Sequence, residues 1–145
     1  MQIMQIEIAI PAKEEIFAKG IPLSIAAENE SWYGRQLGTY IKDSGVYIHH
    51  ANNIILYVGQ TSKEGIWGNF NVRLRRECQL KAAGNSYLYQ LLREQHPAVK
   101  TSLYNFGEVY SMFQGEIRDQ LSHERLTLIL EQFMIAAYQP RGNRR

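Results

Sequence analysis

Apolar and polar positions change period along the chain, and each change marks an element. Ile6, Ile8 and Ile10 alternate strictly inside residues 3–10, the pattern of a strand, and Pro11 ends it. Residues 12–19 read as a short helix closed by Gly20, and residues 35–41 as another, with a loop through Asn29-Glu30-Ser31 between them. Two runs of β-formers follow, Val46-Tyr47-Ile48 and Ile54-Ile55-Leu56-Tyr57-Val58, separated by the turn material Ala51-Asn52-Asn53. That is a β-hairpin, and its span 45–59 contains no charged residue.

Beyond the hairpin, residues 60–69 are polar and glycine-containing and predict a loop. A helix over 71–83 is stopped by Gly84-Asn85, and a second begins near Ser86 and ends before Pro97. Residues 99–104 alternate and predict a third strand, extending toward Tyr110. The last helix covers 122–138, where Leu126, Ile129, Leu130, Phe133, Met134 and Ala137 recur at helical spacing and predict its core stripe. The class is therefore α+β: a small antiparallel sheet of about three strands, the hairpin plus one, flanked by helices. Residues 1–44 are expected to pack on the core as an N-terminal extension of a single domain whose main body is 45–145.

Composition narrows the picture without deciding it. The 145 residues hold one cysteine, which excludes an internal disulfide and a cysteine zinc cluster. Cys78 reads as a small buried thiol on a helix. No secretory signal and no membrane-spanning run are visible, so a cytoplasmic protein without a membrane partner is expected. The net charge is only +2, but it is uneven. After the hairpin, the seven bases Lys63, Arg73, Arg75, Arg76, Lys81, Arg93 and Lys100 face three acids, while residues 1–44 carry six acids and four bases. A basic middle and the tail bases Arg141, Arg144 and Arg145 suit a phosphate-facing surface; solvated helix faces explain the same charges equally well.

The chemistry lies at the ends of the hairpin. Gly45-Val46-Tyr47 and Tyr57-Val58-Gly59 bring two phenols and two glycines close together. Arg73 follows on the next helix, and Glu131 on the last, ahead of Pro140-Arg141-Gly142-Asn143. Taken in this order over 45–143, these elements resemble the signature of the GIY-YIG nuclease superfamily, with Val for Ile in both triplets. The tail is most similar to nuclease domains of the excision-repair incision protein.

The resemblance implies a metal-dependent DNA endonuclease, phage-like or restriction-like. It assigns Tyr47 a part in deprotonating water, Arg73 the grip on the scissile phosphate, and Tyr57 a hydrogen bond to phosphate or water. Glu131 would hold Mg²⁺ or Mn²⁺ through hard oxygen ligands, and Gly59 would allow close packing beneath the site. Lys63, Trp67, Arg75, Arg76, Lys81 and Arg141 are the expected DNA contacts, with Trp67 read either as a base-stacking side chain or as a lid on the core. Double-strand cleavage would need a homo-oligomer or repeated encounters.

The sequence departs from the family at two places. Glu77 stands one turn after Arg73, where many members carry histidine or tyrosine. Orienting Arg73, accepting a proton, supporting a second ion and cancelling Arg73's charge are all open to it. The last of these leads to the alternative function, a catalytically weak nucleic-acid-binding protein. Gln60 follows the second triplet, where repair-type members often carry lysine. On a helical wheel Glu131 lies about 130° from the middle of the predicted stripe, so partial burial is expected. His49 and His50, adjacent on a strand, face opposite ways and cannot pair on one metal, leaving one of them to line the site.

Overall fold

A computed structural model describes residues 1–62, 68–82 and 86–143. In chain order they form β1 (Glu7–Ile8), α1 (Lys13–Lys19), β2 (Ile21–Pro22), β3 (Gly45–Ala51), β4 (Ile54–Thr61), α2 (Phe70–Cys78), α3 (Ser86–Gln95), β5 (Lys100–Asn105), α4 (Phe106–Ser111), β6 (Phe113–Gln114) and α5 (His123–Tyr138). Short 3₁₀ turns lie at Gly34–Tyr40, Leu80–Ala82, Glu116–Gln120 and Arg141–Asn143. The fold is α+β. Its main sheet is antiparallel in the order β2-β5-β3-β4, and a separate two-stranded pair joins β1 to β6.

The hairpin forms where the pattern places it. Asn52 and Asn53 sit at φ 52° and 61°. Two successive positive φ values match the right-handed twist of the flanking strands, and asparagine tolerates them. β3 is buried along its whole length because it is paired on both sides and covered on both faces. Tyr47 and Leu103 face one cluster, with Phe70 and Leu74 of α2 and Leu88 and Leu92 of α3. Val46, Ile48 and Val58 face the other, with Ile16 of α1, Val109 of α4 and Leu126, Leu130 and Met134 of α5.

Beyond the hairpin and β5, the main sheet gains a fourth strand, because Ile21–Pro22 of the N-terminal segment pairs with β5. That segment also sends Leu23, Ile25, Trp32 and Leu37 into the cluster that holds Tyr47. Several expectations are corrected. The first strand shrinks to two residues paired with β6. The expected helix over 35–41 is a 3₁₀ segment that breaks at Gly38, φ 58°. α2 stops at Cys78 because the Gln79 backbone turns extended and its side chain accepts from the Trp32 N–H at 2.7 Å. β5 stops at Asn105 instead of running toward Tyr110, since Asn105 and Glu108 form a reciprocal capping box that starts α4.

α5 begins where expected, with Ser122 accepting from the Arg125 N–H at 3.2 Å, and ends at left-handed Gln139. Its buried stripe, however, runs through Leu126, Thr127, Leu130 and Met134. Phe133 is 55 % exposed. The stripe is turned by about 45° toward Thr127, whose hydroxyl is satisfied by the His123 carbonyl and so can be buried. Among the described residues no helix is long and apolar enough to cross a membrane.

Candidate active site

Strand parity puts Tyr47 and His49 on the same side of β3, under α2. His50 points the other way, to Ser102 Oγ at 2.9 Å. Burial first, then His49 and Lys100, lowers the His50 pKa to about 4. Opposite His49 and His50, β4 carries a bulge: His49 pairs with Tyr57 and His50 with Ile55, which leaves Leu56 as the extra residue. Leu56 and Tyr57 consequently both pack on the Tyr47 side, and Tyr57 lies 5.9 Å from His49 and 6.1 Å from Tyr47, ring centre to ring centre.

Two glycines make room for this arrangement. Gly59 is the register partner of Tyr47, and a Cβ there would fall 2.4 Å from the phenol Cζ and Oη. A Cβ at Gly45 would fall 1.9 Å from the Tyr104 carbonyl oxygen. The glycines of both triplets are thus explained by close approach.

α2 starts at Asn69, whose side chain accepts from the Val72 N–H at 2.9 Å. Arg73 and Glu77 follow one turn apart on the face that meets the sheet. Glu77 is 4 % exposed. Its carboxylate accepts the Tyr47 hydroxyl proton and stands 2.9 Å from His49 Nε2 and 3.4 Å from Arg73 Nε. Arg73 Nε also donates to the Tyr47 oxygen at 3.3 Å, and His49 Nδ1 lies 3.0 Å from Thr101 Oγ1. The network is satisfied from Thr101 through to Arg73.

Electrostatics sort these groups into two layers. Tyr47 has no exposed surface, and burial first, then Glu77, holds its phenol well above the ordinary value. It is a protonated donor at neutral pH. Tyr57 is pushed up to about 12 by burial, then by Glu77, against the lowering effect of Arg73. Tyr47 and then Glu77 keep the Arg73 guanidinium above its usual range. Cys78, the next residue along α2, is buried, and its thiol is pushed well up by that burial and by Glu77. Tyr47, Glu77 and His49 therefore form a buried back layer. Arg73, with 41 % of its side chain exposed, is the group that solvent meets.

Beside Arg73 opens a cleft of about 230 Å³ lined by Gln60, Thr61, Ser62, Gly68, Val72, Arg73 and Arg76. Among the described residues the buried Gln60 Oε1 has no hydrogen-bond partner. Arg75, Arg76, Lys81 and Arg141 are exposed, whereas Lys63 and Trp67 lie outside the described residues.

Glu131 arrives from the other face of the sheet. α5 covers the side opposite Tyr47, and its Glu131 flank lies within electrostatic reach of Tyr57 and Arg73. Burial raises the Glu131 carboxyl, and its hydrogen bond comes from Gln132 Nε2 at 3.1 Å. Among the described residues no cation forms an ion pair with Glu131, although Arg73 lies within electrostatic reach; a half-buried carboxylate so placed suits a divalent ion whose other ligands are water and phosphate oxygens. Among the described residues no group of three or more His, Cys, Asp or Glu is placed to hold a metal. Asn143 serves the scaffold: its side chain accepts from the Val58 N–H at 2.9 Å and donates to the Val58 carbonyl at 2.8 Å, closing the outer edge of β4.

The structure thus gathers Tyr47, Tyr57, Arg73 and Glu77 in direct contact and sets Glu131 at their rim. Sequence reasoning left open which of His49 and His50 lines the site, and it missed Thr101; the structure places His49 there. The available signal was parity, since residues 47 and 49 of one strand share a face. Compared with protein-family models, curated proteins and solved structures, the chain shows no match.

Proposed function

We propose that the protein is a metal-dependent DNA endonuclease of the GIY-YIG type. One observation carries this reading: Arg73, a half-exposed guanidinium, is held from behind by Tyr47 and Glu77 and flanked by Tyr57 and Glu131. A planar fork anchored at Nε in the unliganded protein presents its remaining N–H groups to an anion, and a phosphodiester is an anion that such a fork matches.

Each group then has a task. Arg73 binds the scissile phosphate, and Tyr57, a neutral phenol, donates a hydrogen bond to it or to the water. Tyr47 takes the proton of the attacking water. Glu131 would hold Mg²⁺ or Mn²⁺, which supplies charge neutralisation at the phosphate and the leaving oxygen. Arg75, Arg76, Lys81 and Arg141 draw the DNA backbone in by sequence-independent attraction. The reading carries a cytoplasmic location and a single-strand cut per site, with double-strand cleavage by paired copies.

The Arg73–Glu77 ion pair favours a second reading, a DNA-binding module whose phosphate grip is partly neutralised. Incubation with supercoiled and linear plasmid, with Mg²⁺, Mn²⁺ or chelator, separates the two. Cation-dependent nicked or linear product is expected. DNA retention without cleavage under any of these conditions overturns the nuclease reading in favour of the module.

A further inference from the structure

His49 is wholly buried, yet it is no simple core residue: both ring nitrogens are engaged, one by Thr101 and one by Glu77. With the Glu77 carboxylate as acceptor, Nε2 carries a ring proton, and in the neutral ring Nδ1 then accepts from the Thr101 hydroxyl. Glu77 Oε1 is thereby occupied, and Oε2 is turned to the Tyr47 hydroxyl. We propose that His49, anchored by Thr101, is a positioning residue that fixes Glu77 as the proton acceptor of Tyr47, making Tyr47–Glu77 a relay for the attacking water. The proposal rests on the nuclease reading.

The geometry states what the relay must do. The Tyr47 proton is committed inward to Glu77, so the tyrosine oxygen is left an acceptor on the side where Arg73 now donates. A phosphodiester that draws Arg73 toward itself frees that side for water. As the water oxygen bonds to phosphorus, its proton passes to Tyr47 Oη and the Tyr47 proton passes to Glu77 Oε2. The P–O bond to the leaving nucleoside breaks with its electron pair on the leaving oxygen, which takes a proton from solvent water. Glu77 afterwards releases its proton to solvent through Tyr47. Phenolate never accumulates, which removes the difficulty of a buried phenol acting as base.

The test uses the full chain, a duplex DNA substrate and Mg²⁺ or Mn²⁺. His49→Ala is expected to lower the single-turnover cleavage rate roughly tenfold or more while leaving the dissociation constant for DNA unchanged. His49→Gln, which keeps a donor for Glu77 in similar volume, is expected to recover part of the rate. ¹⁵N spectra of labelled histidine should show His49 as the Nε2–H tautomer in the wild-type protein, independently of activity. Full-rate cleavage by folded His49→Ala, or an Nδ1–H tautomer, overturns the relay while leaving the nuclease reading intact. A wild-type protein that cleaves nothing overturns the nuclease reading and the relay together.

Discussion

The hydroxyl of Tyr47 donates to the carboxylate of Glu77, two residues 30 positions apart that meet in a fully buried contact between β3 and α2. Glu77 also takes His49 and Arg73, so one carboxylate fixes three side chains of the site. Glu77→Gln keeps the volume but sets an amide N–H₂ against one of those donors. Its single-turnover cleavage is expected to fall roughly tenfold or more, about 1.4 kcal/mol of barrier. DNA affinity, governed by phosphate contacts, should hardly move. Tighter binding with undiminished cleavage, measured across a salt series, would instead mark Glu77 as a mere neutraliser of Arg73. Glu77→Ala leaves the buried Tyr47 and His49 donors unpaired and should also cost about 1–3 kcal/mol in urea unfolding.

Glu131 should separate stability from activity. Burial raises its carboxyl, so the folded state holds this proton to higher pH than the unfolded chain does. For such a group, ionisation opposes folding: its contribution falls as pH rises from the ordinary carboxylate range through the folded value. Glu131→Gln is therefore expected to melt at the same or a higher temperature than wild type at neutral pH, with the difference shrinking in acid. The same variant should bind DNA and fail to cleave it. Cleavage at ordinary Mg²⁺ levels would show that the cation is held elsewhere.

Gly59→Ala tests the packing beneath the site. The new methyl would meet Tyr47 Cζ and Oη at 2.4 Å, and Tyr47 is walled in by its network. The expected loss is about 1–3 kcal/mol of stability, the usual cost of overpacking. Cleavage should be lost with it, because the tyrosine oxygen is the atom displaced. Urea midpoints equal to wild type would refute the close approach.

Asn143 offers a graded test of the β4 edge. Asn143→Asp can still accept from the Val58 N–H but cannot donate to the Val58 carbonyl, so one of two hydrogen bonds survives. Asn143→Ala removes both. Destabilisation of about 1 kcal/mol per bond is expected, in the order Ala worse than Asp. Amide exchange at Val58 should quicken in both variants and most in Asn143→Ala. A protected Val58 amide in Asn143→Ala would show that the tail is not what closes this edge.

Local order was legible because it rests on local physics. Two runs of β-formers on either side of Asn52-Asn53 specified the hairpin, and Ser122 ahead of a helical apolar pattern specified the start of α5. Strand parity puts Tyr47 and His49 on one face. Elements that needed a distant partner were not legible. Ile21–Pro22 becomes a strand only because β5 presents an unpaired edge, and two residues carry no period of their own. Phe133 fits the stripe of α5 by hydrophobicity, but Thr127 takes the buried place because its hydroxyl finds a carbonyl within the helix.

For the site, the sequence by itself determined which residue types are present and in what order: two tyrosines on a hairpin, an arginine and a glutamate one helical turn apart, a glutamate on the last helix. Only the tertiary structure decided their arrangement. The bulge at Leu56 turned Tyr57 toward Tyr47, and the packing of α2 buried Glu77 and joined it to His49 and Thr101. Glu131 came to the rim of the site from the opposite face of the sheet. The reason is physical: an exposed carboxylate and a buried one are the same letter, and what separates them is which donors the fold brings within hydrogen-bonding distance once water has been excluded.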